Sequence, residues 1–286
     1  MLELSRPTLL GLVAILLWGL LALFTTATAG IPPFQVTAIT FAIGGGIGLA
    51  IVAWQGRLAL LRQPPLAMAL GIGGLFGYHA LYFAALKLAP PAEASLVAYL
   101  WPLLIVIFSG LLPGEHLSPH HVLGALIGFA GVGVLAAGRG VAGFEASHLP
   151  GYLLAAGCAV VWAAYSVLSR RMASVPTEAV AGSCLITALL AALCHLAFET
   201  TASPDASGWL ALIGLGLGPV GLAFFVWDIG MKRGDIRLLG VASYAAPVIS
   251  TLALVLTGAA AATWALALAC LLIVAGAVTA SLPARR

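Results

Sequence analysis

The chain has 286 residues, 62% of them hydrophobic and only 7% charged, whereas an ordinary soluble domain carries about a quarter charged residues. So few charges cannot clothe a soluble surface. A net charge of +3, held in single residues and short clusters, excludes an electrostatic nucleic-acid binder, and Cys158, Cys184, Cys194 and Cys270 lack the paired spacing of a zinc site or redox dithiol.

Apolar segments bounded by Pro, Gly and charge clusters predict ten membrane spans in chain order. The first covers 8–29. Arg6, the apolar run after Pro7 and Ala27-Thr28-Ala29 together imitate a cleaved secretory signal, but the run is long for one and has a counterpart later in the chain, so it is read as a retained span. Spans at 34–54, 66–86, 93–112 and 120–137 complete a first group of five; 151–169, 178–197, 208–230, 238–257 and 264–282 form a second. The hydrocarbon core needs about 20 apolar residues per helix, so ten spans use nearly the whole chain. Lipid offers the backbone no hydrogen-bond partner and no alternating barrel pattern is present, so the fold class is all-α integral membrane.

Basic residues orient the spans, because cytoplasmic loops are enriched in Lys and Arg. Arg6, Arg57, Arg62, Arg170, Arg171, Lys232, Arg233, Arg237, Arg285 and Arg286 fall on one side, and Lys87 and Arg139 on the other. Both termini are therefore expected in the cytoplasm.

The halves repeat. At an offset of 144, Trp18 falls on Trp162 and Pro32 on Pro176; at 145, Lys87 falls on Lys232, Tyr99 on Tyr244, Pro102 on Pro247 and Gly131 on Gly276. Five is odd, so the second unit enters the membrane upside down relative to the first. The expected architecture is two inverted five-helix repeats, residues 1–140 and 141–286, the plan of many secondary transporters whose site lies near midplane between repeats.

The stretch Ala84-Ala85-Leu86-Lys87-Leu88-Ala89-Pro90-Pro91-Ala92-Glu93-Ala94-Ser95, followed by Pro102, Gly114-Glu115 and Gly124 to Gly131, resembles the EamA repeat of the drug/metabolite transporter superfamily. The second repeat is a weaker copy, with Ala260 where Glu115 would align. Tyr99-Leu100-Trp101-Pro102 with Pro90-Pro91-Ala92-Glu93-Ala94 resembles, within that superfamily, the YddG group of aromatic amino-acid exporters. The resemblance implies export of aromatic and other neutral amino acids across a bacterial inner membrane.

Candidate substrate-binding residues are Tyr78, His79 and Tyr82 in the third span, Tyr99 and Trp101 in the fourth, Trp162 in the sixth and Tyr244 in the ninth. Helical spacing puts Tyr82 beside Tyr78 and His79. An ionisable group at such depth usually faces an interior cavity, so His79 is either a ligand for a substrate's polar end, a proton-sensitive group, or a neutral ring bonded to a neighbouring helix. Pro102 and Pro247 remove backbone donors and are candidate hinges. Gly124 and Gly128, Gly214 and Gly218, and Gly44-Gly45-Gly46 read as close helix contacts. Glu93, Glu115 and Asp228 sit near helix ends, where cap or interface roles are expected.

The spans hold almost no formal charge, and the first holds no carboxylate. A sugar phosphate would call for fixed cations and a multidrug cation for a buried carboxylate. An uncharged aromatic cavity suits a neutral zwitterion with an apolar side chain. No convergent nucleophile and base, metal set or nucleotide motif is present, so no enzyme activity, metal or cofactor is expected. The expected partners are a small-molecule substrate and the lipid bilayer. Other metabolites or hydrophobic drugs are the alternative cargo.

Overall fold

A computed structural model describes residues 4–138 and 143–282. Arg139, Arg285, Arg286 and the expected boundary between the two units at 140 and 141 lie outside them. The described residues are helical, without a strand. Nine helical stretches are long and apolar enough to span a membrane: α1 (Arg6–Ala27), α2 (Pro33–Trp54), α3 (Pro65–Leu88), α4 (Pro91–Ser109), α5 (Pro119–Ala137), α6 (Ala146–Arg171), α7 (Ala179–Phe198), α8 (Ala206–Arg233) and α9 (Ile236–Leu256). The tenth, α10 (Trp264–Ala280), is a shorter apolar helix.

Local chemistry starts these helices. Proline occupies the first turn of α1 to α5, where its missing N–H costs nothing. Side-chain oxygens cap others: Asp205 accepts from the Gly208 amide at 2.7 Å, Asp235 from the Leu238 amide at 3.0 Å and Thr263 from the Leu266 amide at 3.2 Å. The bond from Gly208 holds the Asp205 carboxyl below its ordinary range.

Packing follows a two-fold axis. The repeat offset makes each span of the first half equivalent to the span five places later. α2 packs on α7, α4 on α9 and α5 on α10, each a contact between equivalents, while the α1–α8 contact has its counterpart in α6–α3. Glycines show the same symmetry in finer detail. A Cβ on Gly124 would sit 2.5 Å from the Gly276 carbonyl oxygen, and one on Gly131 would sit 3.1 Å from that of Ala269. An offset of 145 turns the first pair into the second. The chain is thus two inverted five-helix repeats, and small residues let the backbones of α5 and α10 touch.

Irregular backbone also repeats. α4 breaks between Ala98 and Trp101, and α9 between Ala242 and Ala245. Single π-helical turns interrupt α3 at Gly73–Gly77 and α8 at Gly218–Leu222, again 145 residues apart. Such turns recur at functional positions in helices. The proline pattern points to the α4 and α9 breaks; Pro219 lies in the α8 π turn, but the α3 turn holds no proline.

One face of the molecule is pinned by charge. Arg170 on α6 lies 3.0 Å from Glu115 and donates to the Met231 and Gly234 carbonyls, and Arg237 lies 3.5 Å from the same carboxylate. The α4–α5 connection, the end of α6 and the α8–α9 connection are thereby held together. Nearby, Lys232 pairs with Asp228 at 2.9 Å, donates to the Val175 carbonyl, and shares the carboxylate with Thr177.

Candidate functional site

Between the repeats lies a cavity of about 450 Å³, in the range of small-molecule sites. Its lining runs from Trp18 and Pro219 near mid-span to Thr28, Ile31 and Pro33 at the α1–α2 connection, the face opposite the arginine cluster.

Four tryptophans from four helices cluster at its base: Trp18 (α1), Trp101 (α4) and Trp162 (α6) line it, and Trp227 (α8) is buried behind them. All six pairs are in contact, with ring centroids 4.9 to 6.4 Å apart, the spacing of favourable aromatic packing. The rings are held from behind. Trp18 Nε1 donates to the Pro219 carbonyl in the π turn of α8 at 3.0 Å, and Trp227 Nε1 donates to the Ser166 hydroxyl at 3.1 Å.

The two repeats differ at this cluster. Trp18 and Trp162 are equivalents, but the counterparts of Trp101 and Trp227 are Ala246 and Tyr82. Both of these residues line the cavity.

Of the residues picked from the sequence, Tyr78, His79, Tyr82, Tyr99, Trp101 and Trp162 all line this cavity. Tyr78 and Tyr82 stack at 6.1 Å and 13°, and Tyr78 packs on Trp162 at 5.3 Å. His79 Nδ1 lies 2.7 Å from the Leu75 carbonyl oxygen, and its ring stands edge-on to Phe41 at 5.2 Å.

Tyr244 lies apart from the cavity lining. It is fully buried away from the cavity, against Gly128 and Phe129. Its hydroxyl accepts the Leu103 amide at 3.0 Å, just past the break in α4, where that amide lacks an intrahelical partner. The repeat partner of a cavity tyrosine thus serves the backbone of the opposite repeat.

Sequence reading passed over Phe41, Phe83 and Phe224, which also line the cavity; Phe41 and Phe224 stack at 5.3 Å and 17°. The repeat could have found one of them, since an offset of 145 carries His79 onto Phe224. It also carries Tyr82 onto Trp227. Phe41 shares a helical face with Thr37 and Thr40, which line the wall too.

Among the described residues, no Asp, Glu, Lys or Arg lines the cavity, so it can bind a ring by contact and polar groups by hydrogen bonds, without a fixed counter-ion. A ten-helix membrane protein of two inverted repeats around a central cavity, closed on one side and open on the other, is a transporter of the alternating-access class. The chain matches the EamA-like transporter family over residues 6–137 and again over 149–282, and it belongs to that family. It is 62% identical to the aromatic amino acid exporter YddG of Ancylobacter novellus over 284 residues, 99% of each chain. Proteins of the same name from Salmonella typhimurium and Escherichia coli are 27% and 26% identical, over 86% of this chain and 87% of theirs. A solved crystal structure with 62% identity superposes with a TM-score of 0.94 over 99% of this chain and 100% of the other.

Proposed function

We propose that the chain is a secondary carrier that exports aromatic and other neutral amino acids across a bacterial inner membrane, with both termini in the cytoplasm. The observation that carries this reading is a 450 Å³ cavity walled by tyrosine, phenylalanine and tryptophan, with His79 but no Asp, Glu, Lys or Arg among the described residues of its lining. The name shared by the relatives supports the same cargo. Tyr78, His79, Tyr82, Tyr99, Trp101 and Trp162 hold the substrate, each ring contact adding about 0.5–1.5 kcal/mol beyond burial. The repeats at 1–140 and 141–286 are the units that move, with hinges at Pro102 and Pro247. Arginine-rich loops face the cytoplasm, so the conformation described is open to the outside. Export then requires the Arg170–Glu115–Arg237 contacts to part, admitting substrate from within.

Proteoliposomes loaded with labelled phenylalanine provide the test. Efflux that depends on folded protein and saturates with phenylalanine is the expected result; no protein-dependent flux in either direction removes the proposal.

A further inference from the structure

With no formal charge in its wall, the cavity must tell the two ends of a zwitterion apart by the direction of its hydrogen bonds. On α1 and α2 the wall hydroxyls already donate their hydrogens to their own helices: Thr25 to Ala22 at 3.2 Å, Thr28 to Thr25 at 3.2 Å, Thr37 to Pro33 at 2.8 Å and Thr40 to Val36 at 2.8 Å. A hydroxyl has one hydrogen and two lone pairs. These oxygens therefore present acceptors to a ligand.

His79 joins them. The Leu75 carbonyl can only accept, so the ring hydrogen sits on Nδ1, and Nε2 of the neutral ring is an acceptor. The edge-on contact with Phe41 sets this ring against the α2 face that carries Thr37 and Thr40. At the α3–α4 boundary the chemistry reverses. The hydroxyls of Tyr82 and Ser95 are 2.8 Å apart, and whichever of them donates, the other keeps its hydrogen for a ligand.

We propose that Thr37, Thr40 and His79 form a subsite for a primary ammonium group, and that the Tyr82–Ser95 pair forms one for a carboxylate. The inference deepens the amino-acid reading of the cavity and rests on it for the identity of the natural ligand. Amines without a carboxylate are accepted at the first subsite. N-acylated amino acids, which lack the ammonium, are rejected there.

Tryptophan fluorescence of the full-length protein in detergent, titrated separately with phenylalanine, phenethylamine and 3-phenylpropionate, tests the assignment. Thr37→Val with Thr40→Val keeps the wall's shape and deletes the acceptors. It is expected to weaken phenethylamine about tenfold, the effect of a lost hydrogen bond to a charged group, and to leave 3-phenylpropionate unchanged. Thr37→Ser with Thr40→Ser restores phenethylamine binding, and Tyr82→Phe with Ser95→Ala shows the reverse selectivity. If the valine variant fails to fold, His79→Phe, which keeps a ring and removes Nε2, is expected to give the same selective loss.

Equal weakening of both probes, undiminished phenethylamine binding in the folded valine variant or in His79→Phe, or no phenethylamine binding by the unaltered protein overturns the subsites. Absence of phenylalanine binding alongside threonine-dependent phenethylamine binding instead overturns the amino-acid reading and leaves the ammonium subsite standing.

Discussion

The Tyr244 hydroxyl shows how one atom can matter to a carrier without touching its cargo. It satisfies the Leu103 amide beside the α4 break, and a buried amide left without a partner costs about 1–3 kcal/mol. Tyr244→Phe is therefore expected to lower thermal stability by that amount, while the ratio of phenylalanine to threonine transport stays as in the unaltered protein. A change in that ratio would put the ring back at the substrate.

Trp101 predicts the opposite pattern, because its indole touches the cavity and three other tryptophans. Trp101→Ala should reduce phenylalanine transport up to about tenfold relative to threonine transport, since only phenylalanine uses the ring. Trp101→Phe should recover most of the difference. His79→Ala, which removes a group proposed to meet the end shared by both substrates, should impair both alike. Initial rates per amount of folded protein decide the matter.

The two broken helices sit at equivalent places in the two repeats. Pro102 lies in the first turn of the second α4 segment and Pro247 in the equivalent turn of α9, where proline fits a helix start but cannot bridge a break. Pro102→Ala with Pro247→Ala allows more continuous helices, so turnover is expected to fall while folded yield is kept. Transport at the unaltered rate would show the breaks to be static; loss of folded protein would show a structural role.

These breaks were legible because proline has a local effect that survives any tertiary context. That α5 packs closely on a neighbour was legible for a similar reason, since glycine at 124 and 128 has few other uses in lipid, though not that the neighbour is α10. The π turns at Gly73–Gly77 and Gly218–Leu222 were not. They lie where neighbours cross closely, as Gly44 does against Gly221, where a Cβ would lie 2.6 Å from the facing Cα, and sequence periodicity does not report which helices cross. Tyr244 lies outside the lining for a related reason. A repeat gives equivalent positions, but the two sides of this cavity are not equivalent in the state described.

The whole molecule turns that inequivalence into a direction. Trp101 and Trp227 stand where the repeat puts Ala246 and Tyr82, and Glu115 pairs with Arg170 and Arg237 on the arginine-rich face only. Two repeats of near-equal shape can exchange these roles, which is the physical basis of alternating access between inverted units. A pore open at both ends would need no such asymmetry.

Counterflow measures this claim most directly. Proteoliposomes preloaded with unlabelled phenylalanine and diluted into a trace of labelled phenylalanine are expected to accumulate label transiently above its external level, because each return of the carrier from inside to outside resets the cavity for labelled substrate. Glu115→Gln, which weakens the closed side, should change the rate of that accumulation without abolishing it. Label that only equilibrates, with no overshoot and no dependence on internal phenylalanine, would contradict a carrier that exposes one aromatic cavity to each side in turn.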